Sequence, residues 1–574
     1  MSPRHLLVYL AFLGVVTLLV KPMGIYLARV FSGEKTFLDR VLLPIERGLY
    51  RLAGIDPARE MDWRQYATAF ILFGLLGIVF VFVLLLLQPL GQPVDPNYHP
   101  APLSFLLAFN TAVSFATTTT WQAYSGESAL SYLSQALALS SQNFLAGAAG
   151  LAVGIAFIRG FARCHTSTVG NFWVDVTRSV LWVLLPIALL GALALVAMGV
   201  PQSWSPYVPA LTLEGVVQVL PQGPVASLEF IKNLGTNGGG FFGANGAHPF
   251  ANPSGLSNLL GNFAIVVIPA ALTCTFGRMT QRPVHGWLLY GVMAGLFMGG
   301  LLAYDAAEQA GNPRIAALGV DIQGSSLQAG GNMEGKETRF GIADSTLTAI
   351  ATSNGATGSS NAAPDSSMPL GGGVLLFNMM LGESLFGGLG TGLYSLVLTA
   401  LIAVIVSGLM IGRTPEYLGK TVGPAEMKWI GLHTIVAPAI ILPLAALAMM
   451  TAAGKAGLST NNGSHGFTTL LFAYTSCFAN NGQTFGGLSA DTPFFHVTTV
   501  VAMLAGRFGL AIPVLALAGR FAQQGRRVVS AGTLPTDGLL FGGVLTGTLL
   551  LVTGLSFLPA LAMGPVLEHL QLWH

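Results

Sequence analysis

Charged residues are scarce in this sequence. Asp, Glu, Lys and Arg make up 9% of the 574 residues, whereas hydrophobic residues make up 52%. Because a soluble domain carries roughly 25% charged residues, this composition indicates an integral membrane protein. The net charge of +2 gives no basic surface of the kind that binds nucleic acid.

Cysteines and nucleotide-binding motifs are also rare or missing. The cysteines Cys164, Cys274 and Cys477 lie far apart, without the spacing of a metal site or a disulfide framework, and are interpreted as small packing residues. The sequence contains no G-x-x-x-x-G-K-[ST] loop and no Asp-Lys-Thr-Gly motif. Too little polar sequence is present for a nucleotide-binding domain. We therefore expect no cofactor and no ATP hydrolysis by this chain alone.

Long apolar runs are abundant instead. A membrane-spanning helix needs about 20 predominantly apolar residues. Ten segments meet this requirement: 4–31, 66–91, 128–158, 172–200, 254–277, 284–304, 372–412, 427–453, 493–520 and 536–562. The first has no small-x-small cleavage site and is interpreted as a retained helix rather than a signal peptide. The seventh is too long for one helix, and we expect the stretch GESLFGGLGTG (382–392) to break it.

The distribution of Lys and Arg predicts the orientation of these spans. If the N-terminus lies outside, most of the 26 Lys and Arg residues fall in the inner connections 32–65, 159–171, 278–283, 413–428 and 520–535. The positive-inside rule then predicts that both termini are extracytoplasmic.

Four apolar segments are too short to cross a membrane. They cover 102–116 and about 225–235, 342–352 and 466–477, and all four lie on the outer side in the predicted topology. Segments of this length are typical of re-entrant helices. Each is followed by a polar run: TTTTWQAY (117–124), GTNGGGFF (235–242), TSNGATGS (352–359) and ANNGQTFG (479–486).

These polar runs indicate an internal repeat. Three share a polar-Asn-Gly core, and the first offers three other residues at the matching place: Thr236-Asn237-Gly238, Ser353-Asn354-Gly355, Asn480-Asn481-Gly482 and Thr119-Thr120-Trp121. A single such run would be explained by small residues that let membrane helices pack closely. Four runs on one side at nearly constant spacing favour a repeated structural unit.

Four such turns around one axis could bind an alkali cation. Irregular backbone at membrane depth persists only where protein or a water-filled cavity surrounds it, and a ring of backbone carbonyls can replace the hydration shell of the ion. Glycine permits the positive φ angles that turn successive carbonyls inward. The short helices would direct their negative C-terminal ends at the cation. The runs contain no ring of carboxylates, which argues against a divalent-cation site.

Several long motifs closely resemble the KdpA family. They are WQAYSGE, GTNGGGFFGANGAHPFANP, ATSNGATGS, GRTPEYLGK and CFANNGQTFGGL, and the resemblance runs through nearly the whole chain. The resemblance implies a potassium-binding and translocating subunit of the bacterial P-type potassium ATPase in the cytoplasmic (inner) membrane. A KdpB-type subunit would hydrolyse ATP, and KdpC-type and KdpF-type subunits would complete the complex.

The resemblance also implies an all-α fold of the superfamily of potassium transporters. Ten transmembrane helices would form four membrane–pore-loop–membrane repeats around a pseudo-fourfold pore, with one extra helix at each end. The parts would be 1–65 (first helix and inner loop), 66–158 (repeat 1, pore loop 102–124), 172–277 (repeat 2, pore loop 225–245), 284–412 (repeat 3, outer loop 305–340, pore loop 342–359, broken second helix), 427–520 (repeat 4, pore loop 466–486) and 536–574 (last helix).

The potassium filter is assigned to the twelve residues of the four aligned triplets. The first triplet has neither Asn nor Gly, so its carbonyl geometry is expected to differ from that of the others. Gln122 follows this triplet, and in the family this position influences ion affinity. A polar residue that merely hydrates the mouth of the pore is the alternative for Gln122.

Three charged residues near the pore are also candidates for function. Arg507 lies in the middle of a span, where an unpaired charge is costly; it would act electrostatically near the ion path, or else snorkel from a helix end. Glu383 lies in the break of the seventh span, where the resemblance implies a loop that obstructs direct passage and sends ions sideways. Glu383 would contact the cavity or the loop's anchor, or only pack. Arg413 would tie the loop down, or be an ordinary positive-inside charge.

The leading hypothesis is a potassium-selective pore subunit of an ATP-driven pump. The alternative is a stand-alone channel-like potassium transporter driven by the membrane potential or by co-transport. The filter motifs alone do not separate the two. The broken seventh span favours the pump, because a passive pore has less use for a permanent barrier.

Overall fold

Ten helices cross the membrane in the part of the chain that the computed structural model describes, which is residues 3–90, 100–325, 328–410, 412, 415–527 and 535–573. The spanning helices are α1 (Pro3–Ser32), α3 (Trp63–Leu86), α5 (Ser134–Ala162), α6 (Phe172–Ala197), α8 (Gly255–Met279), α9 (Pro283–Ala310), α12 (Thr391–Met410), α13 (Pro424–Met450), α15 (Pro493–Gln523) and α16 (Leu539–Leu561). The predicted all-α membrane fold is confirmed.

Seven labelled helices do not span. They are α2 (Asp39–Ala53), α4 (Phe105–Ala116), α7 (Val225–Leu234), α10 (Gly341–Asn354), α11 (Pro369–Met380), α14 (Gly463–Phe478) and α17 (Leu567–Trp573). Four of them, α4, α7, α10 and α14, coincide with the short apolar segments expected from the sequence and are called the pore helices below.

Short elements complete the described structure. Three π-helical stretches cover Ser134–Ser140, Ser179–Leu184 and Ala562–Val566, and four-to-five-residue helices cover Gly126–Ala129, Pro313–Ala317 and Ala452–Lys455. Single 3₁₀ turns lie at Gln88–Leu90, Asn245–Ala247 and Pro364–Ser366. Three antiparallel strand pairs join β1 (Met61–Asp62) to β2 (Thr168–Gly170), β3 (Val208–Leu211) to β4 (Val217–Leu220), and β5 (Glu416–Tyr417) to β6 (Lys420–Thr421).

Polar caps set where several spans begin. The Asp62 carboxylate accepts hydrogen bonds from the backbone N–H groups of Arg64 and Gln65, and the Gln65 side chain returns a bond to Asp62, so α3 begins with a capping box. Ser254 forms a second capping box at the start of α8, and the Thr492 hydroxyl caps α15 by accepting a bond from the Phe495 N–H. These caps satisfy N–H groups that the helices themselves leave without a partner.

A buried ion pair joins four spans near one end of the helix bundle. Arg159 on α5 binds Asp175 on α6 through two parallel contacts, with Nη1–Oδ2 at 2.6 Å and Nη2–Oδ1 at 2.8 Å. The same Arg159 donates to the carbonyl of Phe31 on α1, and the hydroxyl of Tyr66 on α3 donates to Asp175. The bidentate geometry and the extra donors compensate for the cost of burying both charges.

The seventh apolar segment is broken where the glycine-rich stretch predicts. Helix α11 ends at Met380 and α12 begins at Thr391, so residues 381–390 form a loop within the membrane region. Gly382 and Gly390 take positive φ angles of 67° and 91°, which glycine adopts without steric cost. Glu383 and Phe386 also take positive φ, at 58° and 53°, and are therefore strained.

Candidate functional site

The four pore helices end with the same geometry. The residue that follows each helix donates its N–H to the carbonyl four residues earlier: Thr117 to Val113 (3.0 Å), Gly235 to Ile231 (2.8 Å), Gly355 to Ala351 (2.8 Å) and Ala479 to Thr475 (2.8 Å). The next residue has a positive φ in every repeat: Thr118 (66°), Thr236 (50°), Ala356 (49°) and Asn480 (53°). These shared features align the four filter segments as Thr118-Thr119-Thr120, Thr236-Asn237-Gly238, Ala356-Thr357-Gly358 and Asn480-Asn481-Gly482.

The third residues of these segments form a closed ring. A methyl group added at Gly238 would lie 2.8 Å from the Gly358 Cα and 2.8 Å from the Thr120 Oγ1. One at Gly358 would lie 2.6 Å from the carbonyl carbon of Gly482, and one at Gly482 would collide with the carbonyl oxygen of Thr119. Each segment therefore touches the next, and one chain supplies all four sides.

The alignment of the third repeat differs from the one that the sequence suggested. Ser353 and Asn354 are the last two residues of α10, and Gly355 is its cap, so the equivalent of Gly238 is Gly358. The Ser353 hydroxyl donates to the Ile350 carbonyl and accepts a bond from Asn378, behind the filter. The matching of Gly355 with Gly238 was wrong by three residues, because the helix continues through the Asn-Gly motif of this repeat.

In the first repeat, the ring position lies one residue earlier than the sequence alignment placed it. The residue after its helix cap, Thr118, has the positive φ that marks the first filter position, so Thr120, and not Trp121, occupies the ring position. Trp121 is buried, and its carbonyl accepts a hydrogen bond of 2.9 Å from the Ser114 hydroxyl. Trp121 therefore lies one position further out along the segment than the sequence alignment placed it.

Most of the filter carbonyls are free of protein partners. In the described part of the chain, no hydrogen bond engages the carbonyl oxygens of residues 236–238, 356–358 or 480–482, although these residues are buried. The segments' own N–H groups are directed back to the pore helices, since Asn237, Thr357 and Asn481 donate to the carbonyls five residues earlier. A buried carbonyl without a partner is costly, so this ring of acceptors is suited to a cation.

The asparagine side chains brace the ring from behind. Asn237 donates to the carbonyl of Asn143 at 3.0 Å, and Asn481 donates to the carbonyl of Thr352 at 2.8 Å. Asn480 donates 3.0 Å bonds to the Thr119 hydroxyl and to the carbonyl of Met503. These amides are thus used for scaffolding, and the backbone carbonyls remain available.

Two glutamines connect neighbouring filter segments. Gln122 accepts a bond from the Gly240 N–H at 2.9 Å and donates to the Gly240 carbonyl at 3.2 Å. This paired contact supports a role for Gln122 in shaping the filter beyond hydrating its mouth. Gln483 donates to the Ser360 hydroxyl at 3.1 Å. Gln483 is not among the residues predicted from the sequence, although its place directly after Gly482 is a usable signal.

A cavity of about 120 Å³ lies at the end of the filter where the pore helices stop. It is lined by the four positive-φ residues and by Glu383 and Arg507, and it continues between α12, α13 and α16 along Ile402, Ile441 and Thr553. The filter therefore adjoins a cavity within the membrane region.

The intramembrane loop 381–390 lies directly beneath the filter. The N–H of Leu389 donates a 3.0 Å hydrogen bond to the Thr236 hydroxyl. A methyl group added at Gly388 would lie 3.1 Å from the Ala356 Cβ. The loop thus contacts two filter segments at the end that adjoins the cavity, and it lies across the straight continuation of the filter.

Arg507 reaches the filter from the middle of α15. Its Nη1 donates to the Thr118 hydroxyl at 3.2 Å, its Nη2 donates to the carbonyl of Ala146 at 2.7 Å, and its guanidinium carbon lies 5.4 Å from the Phe70 ring centroid. It is buried and points into the protein, so the alternative of a snorkelling helix-end arginine does not hold.

Glu383 shares the cavity with Arg507. Its side chain is buried, and among the described residues its Oε1 has no hydrogen-bond partner. A buried carboxylate oxygen without a hydrogen-bond partner is unusual for a residue that only packs. Arg413 lies outside the described residues, so its expected role remains a prediction.

Comparison with known proteins agrees with these observations. Residues 10–570 match the family model of KdpA, the potassium-transporting ATPase A subunit. The chain belongs to the KdpA family.

Individual relatives of this KdpA-family chain are similar over nearly their whole length. A potassium-transporting ATPase potassium-binding subunit of Methylorubrum extorquens is 51% identical over 556 residues, which cover 97% of this chain and 95% of the relative. The subunit of the same description from Chromobacterium violaceum is 48% identical over 590 residues, with 98% of each covered. The crystal structure of the potassium transporter TrkH from Vibrio parahaemolyticus has a TM-score of 0.47 at 15% identity, covering 76% of this chain and 82% of TrkH.

Proposed function

We propose that this chain is the potassium-selective pore subunit of an ATP-driven, high-affinity potassium uptake pump. The observation that carries the proposal is the closed ring of buried filter segments whose carbonyls have no partner among the described residues. Such oxygens replace the hydration shell of a potassium ion. The names of the relatives, potassium-binding subunits of a potassium-transporting ATPase, support the choice of ion.

The ion would be held by the backbone of the four aligned segments. The carbonyls of Thr236, Asn237 and Gly238 and their equivalents would provide the ligands, together with the C-terminal ends of the pore helices. Ser353, Asn354 and Gly355, proposed from the sequence, would then act as scaffold for the ring rather than as ligands, and Trp121 would lie at its outer edge.

Arg507 and Glu383 would control the ion below the filter. The fixed positive charge of Arg507, bound to Thr118, would oppose occupancy of the cavity by a second cation. The free acceptor of Glu383 would stabilise a potassium ion that has left the filter. Because loop 381–390 obstructs the straight path, the ion would move sideways between α12, α13 and α16.

The lateral route favours the pump over a stand-alone channel. We propose that it leads to an ATP-hydrolysing KdpB-type subunit, and that KdpC-type and KdpF-type subunits complete the assembly in the bacterial inner membrane, with both termini of this chain outside. A channel driven by the membrane potential would gain nothing from an exit that ends at a protein interface.

Two measurements test this proposal. The tagged chain is purified from its native membrane in mild detergent, and uptake is measured in cells whose ATP is depleted while the membrane potential is clamped. We expect a P-type ATPase subunit to co-purify and uptake to stop. Uptake that survives ATP depletion, together with a chain that purifies alone, would refute the pump and favour the stand-alone transporter.

A further inference from the structure

Helix α2 carries a face that fixes its position on the protein. Leu42, Glu46 and Tyr50 follow one another at four-residue intervals and are all buried. The Glu46 carboxylate accepts bonds from the Arg178 Nε at 3.0 Å and from the Trp182 Nε1 at 2.6 Å, both on α6. This buried contact sets the rotation of α2 about its own axis, so the directions of its other faces are defined.

A second face of α2 is apolar and exposed. Val41, Ile45, Leu49 and Leu52 recur at the spacing of one helical stripe, and Val41 and Leu52 are 64% and 86% exposed. Phe37, just before the helix, is 82% exposed. A continuous apolar stripe of this kind indicates an interaction surface.

The remaining face of α2 is basic. Arg40, Arg47 and Arg51 are exposed. The two acidic residues of the helix are already engaged, because Asp39 accepts bonds from the N–H and the hydroxyl of Thr36, and Glu46 binds α6. Three exposed arginines therefore outnumber the one partly exposed carboxylate, Asp39, and the net charge that α2 presents to its surroundings is positive.

Contacts with two spanning helices place α2 at the surface of the bilayer. The Phe37 ring lies 5.7 Å from the ring of Tyr26, which is two turns before the end of α1. The Tyr26 hydroxyl in turn donates to the carbonyl of Trp182 at 2.6 Å. The apolar stripe is thus level with the last turns of α1, and Leu185 and Leu189, in the turns of α6 that follow Trp182, are exposed.

We propose that α2 lies in the membrane interface and binds anionic phospholipids. Its apolar stripe would enter the boundary between head groups and acyl chains. The three arginines would contact lipid phosphates, which they bind through charge-assisted hydrogen bonds. The position of the stripe, level with the last turns of α1, and the net positive charge of the helix favour lipid over a protein partner. This inference does not depend on the filter.

The position of the stripe is tested with a matched pair of labels on the same helix. Leu49→Cys lies on the apolar stripe and Arg47→Cys on the basic face. Each variant is purified in its complete complex, labelled with an environment-sensitive dye and reconstituted in vesicles that contain a shallow spin-labelled lipid. The unsubstituted chain, labelled in parallel, gives the background from its native cysteines. We expect blue-shifted emission and strong quenching at position 49 and weak quenching at position 47.

The lipid preference is tested with charge-removing and charge-retaining variants. The triple variant Arg40→Gln/Arg47→Gln/Arg51→Gln is compared with the corresponding triple Lys variant, and Arg59→Gln is the control for an exposed inner arginine outside α2. Retention of phosphatidylglycerol over phosphatidylcholine after purification is measured by mass spectrometry. We expect about a fivefold loss per arginine replaced by Gln, near-normal retention with Lys and no change with Arg59→Gln.

Two outcomes would overturn the proposal. A label at position 49 that is shielded from lipid quencher in the complete complex, but becomes exposed to water when the partner subunits are removed, would identify the stripe as a protein interface. Equal retention of phosphatidylglycerol by the Gln, Lys and unsubstituted chains would show that the arginines do not bind anionic lipid.

Discussion

The first filter segment differs from the other three in both residue type and backbone path. Gly238, Gly358 and Gly482 each lie where an added methyl group would meet the next segment, whereas the first segment has Thr120 at this position. In the three glycine segments a turn N–H bonds to the carbonyl five residues earlier, but in the first Thr120 bonds to Ser114, six residues earlier. The hydrogen-bonded turn of the first segment is therefore closed by its third residue, whereas the other three are closed by their second residue.

The first segment also concentrates backbone strain. Thr118 and Thr120 are both β-branched and both have positive φ, at 66° and 50°, a conformation that is unfavourable for such residues. Thr118 is also the residue that Arg507 binds. Strain of this kind persists only where the surroundings enforce it. The comparison indicates that the three glycine segments shape the ring through backbone contact, whereas the first segment, Thr118–Thr120, shapes it through side-chain bonds.

The largest effect is expected from Gly358→Ala. The new methyl group would lie 2.6 Å from the Gly482 carbonyl carbon and 2.9 Å from the Asn481 oxygen, so two filter segments must move apart. We expect about a 100-fold rise in the potassium KM and loss of discrimination against sodium, since even small displacements of ligands are costly. Potassium-dependent ATPase activity of the complete complex measures both.

A matched control separates ring geometry from a general intolerance of alanine. In the described structure an added methyl group at Gly291 on α9 meets no atom within 4 Å, so Gly291→Ala should leave KM and selectivity unchanged. If Gly358→Ala behaves like Gly291→Ala, the ring assignment is wrong.

Arg507→Met is expected to have the next largest effect. It removes the bonds to Thr118 and Ala146, and hydrogen bonds to a charged group contribute about 1.5–3 kcal/mol each. The strained first segment should lose its support, and transport should fall about 10- to 100-fold. Arg507→Lys keeps the charge and one bond, and should recover part of the activity. Equal loss in both variants would indicate that the two-bond geometry, and not the charge, is essential.

Gln122→Ala should give a smaller change. It removes the two bonds to Gly240, each worth about 1 kcal/mol, and we expect about a tenfold rise in the potassium KM at unchanged maximal rate. Gln122→Glu retains the acceptor for the Gly240 N–H, so its potassium KM should lie between those of the Ala variant and the unsubstituted chain. A KM that is the same for the Ala variant and the unsubstituted chain would contradict the bridge between the first two segments.

Thr120→Gly should have the smallest effect. It makes the first segment resemble the others and relieves a positive φ, so the melting temperature should rise slightly while the potassium KM changes less than about fivefold. A collapse of selectivity comparable with that of Gly358→Ala would instead identify the Thr120 side chain as a direct part of the ion site.

Much of the architecture could be predicted from local sequence. The ten spans, the four short helices and the break near 382–392 each follow from the length of an apolar run or from clustered glycines, which are properties of a few neighbouring residues. The predicted end of the fourth pore helix, 477, agrees with Phe478 in the structure, because the polar Asn-Asn-Gly begins at once.

The contacts within the site could be predicted less well, because they join residues that are far apart in the sequence. The hydrogen bond from Leu389 to Thr236 joins residues that are 153 positions apart, and no local pattern indicates it. Arg507 was identified as a buried charge, but its partner Thr118 lies 389 positions away in the sequence. Gln483 directly follows Gly482, but its partner Ser360 lies 123 positions away in the sequence.

The sequence by itself determined that this is a membrane protein of the KdpA family with four re-entrant segments. The length of an apolar run and a long motif are both properties of consecutive residues. The tertiary structure decided which residues form the ring. In the third repeat, Asn354-Gly355 has the same letters as Asn237-Gly238, yet Gly355 packs against Ile265 and the Ala351 carbonyl and ends a helix. The backbone turns only at Ala356, since packing against neighbouring helices fixes where the pore helix stops, and this places Gly358 in the ring.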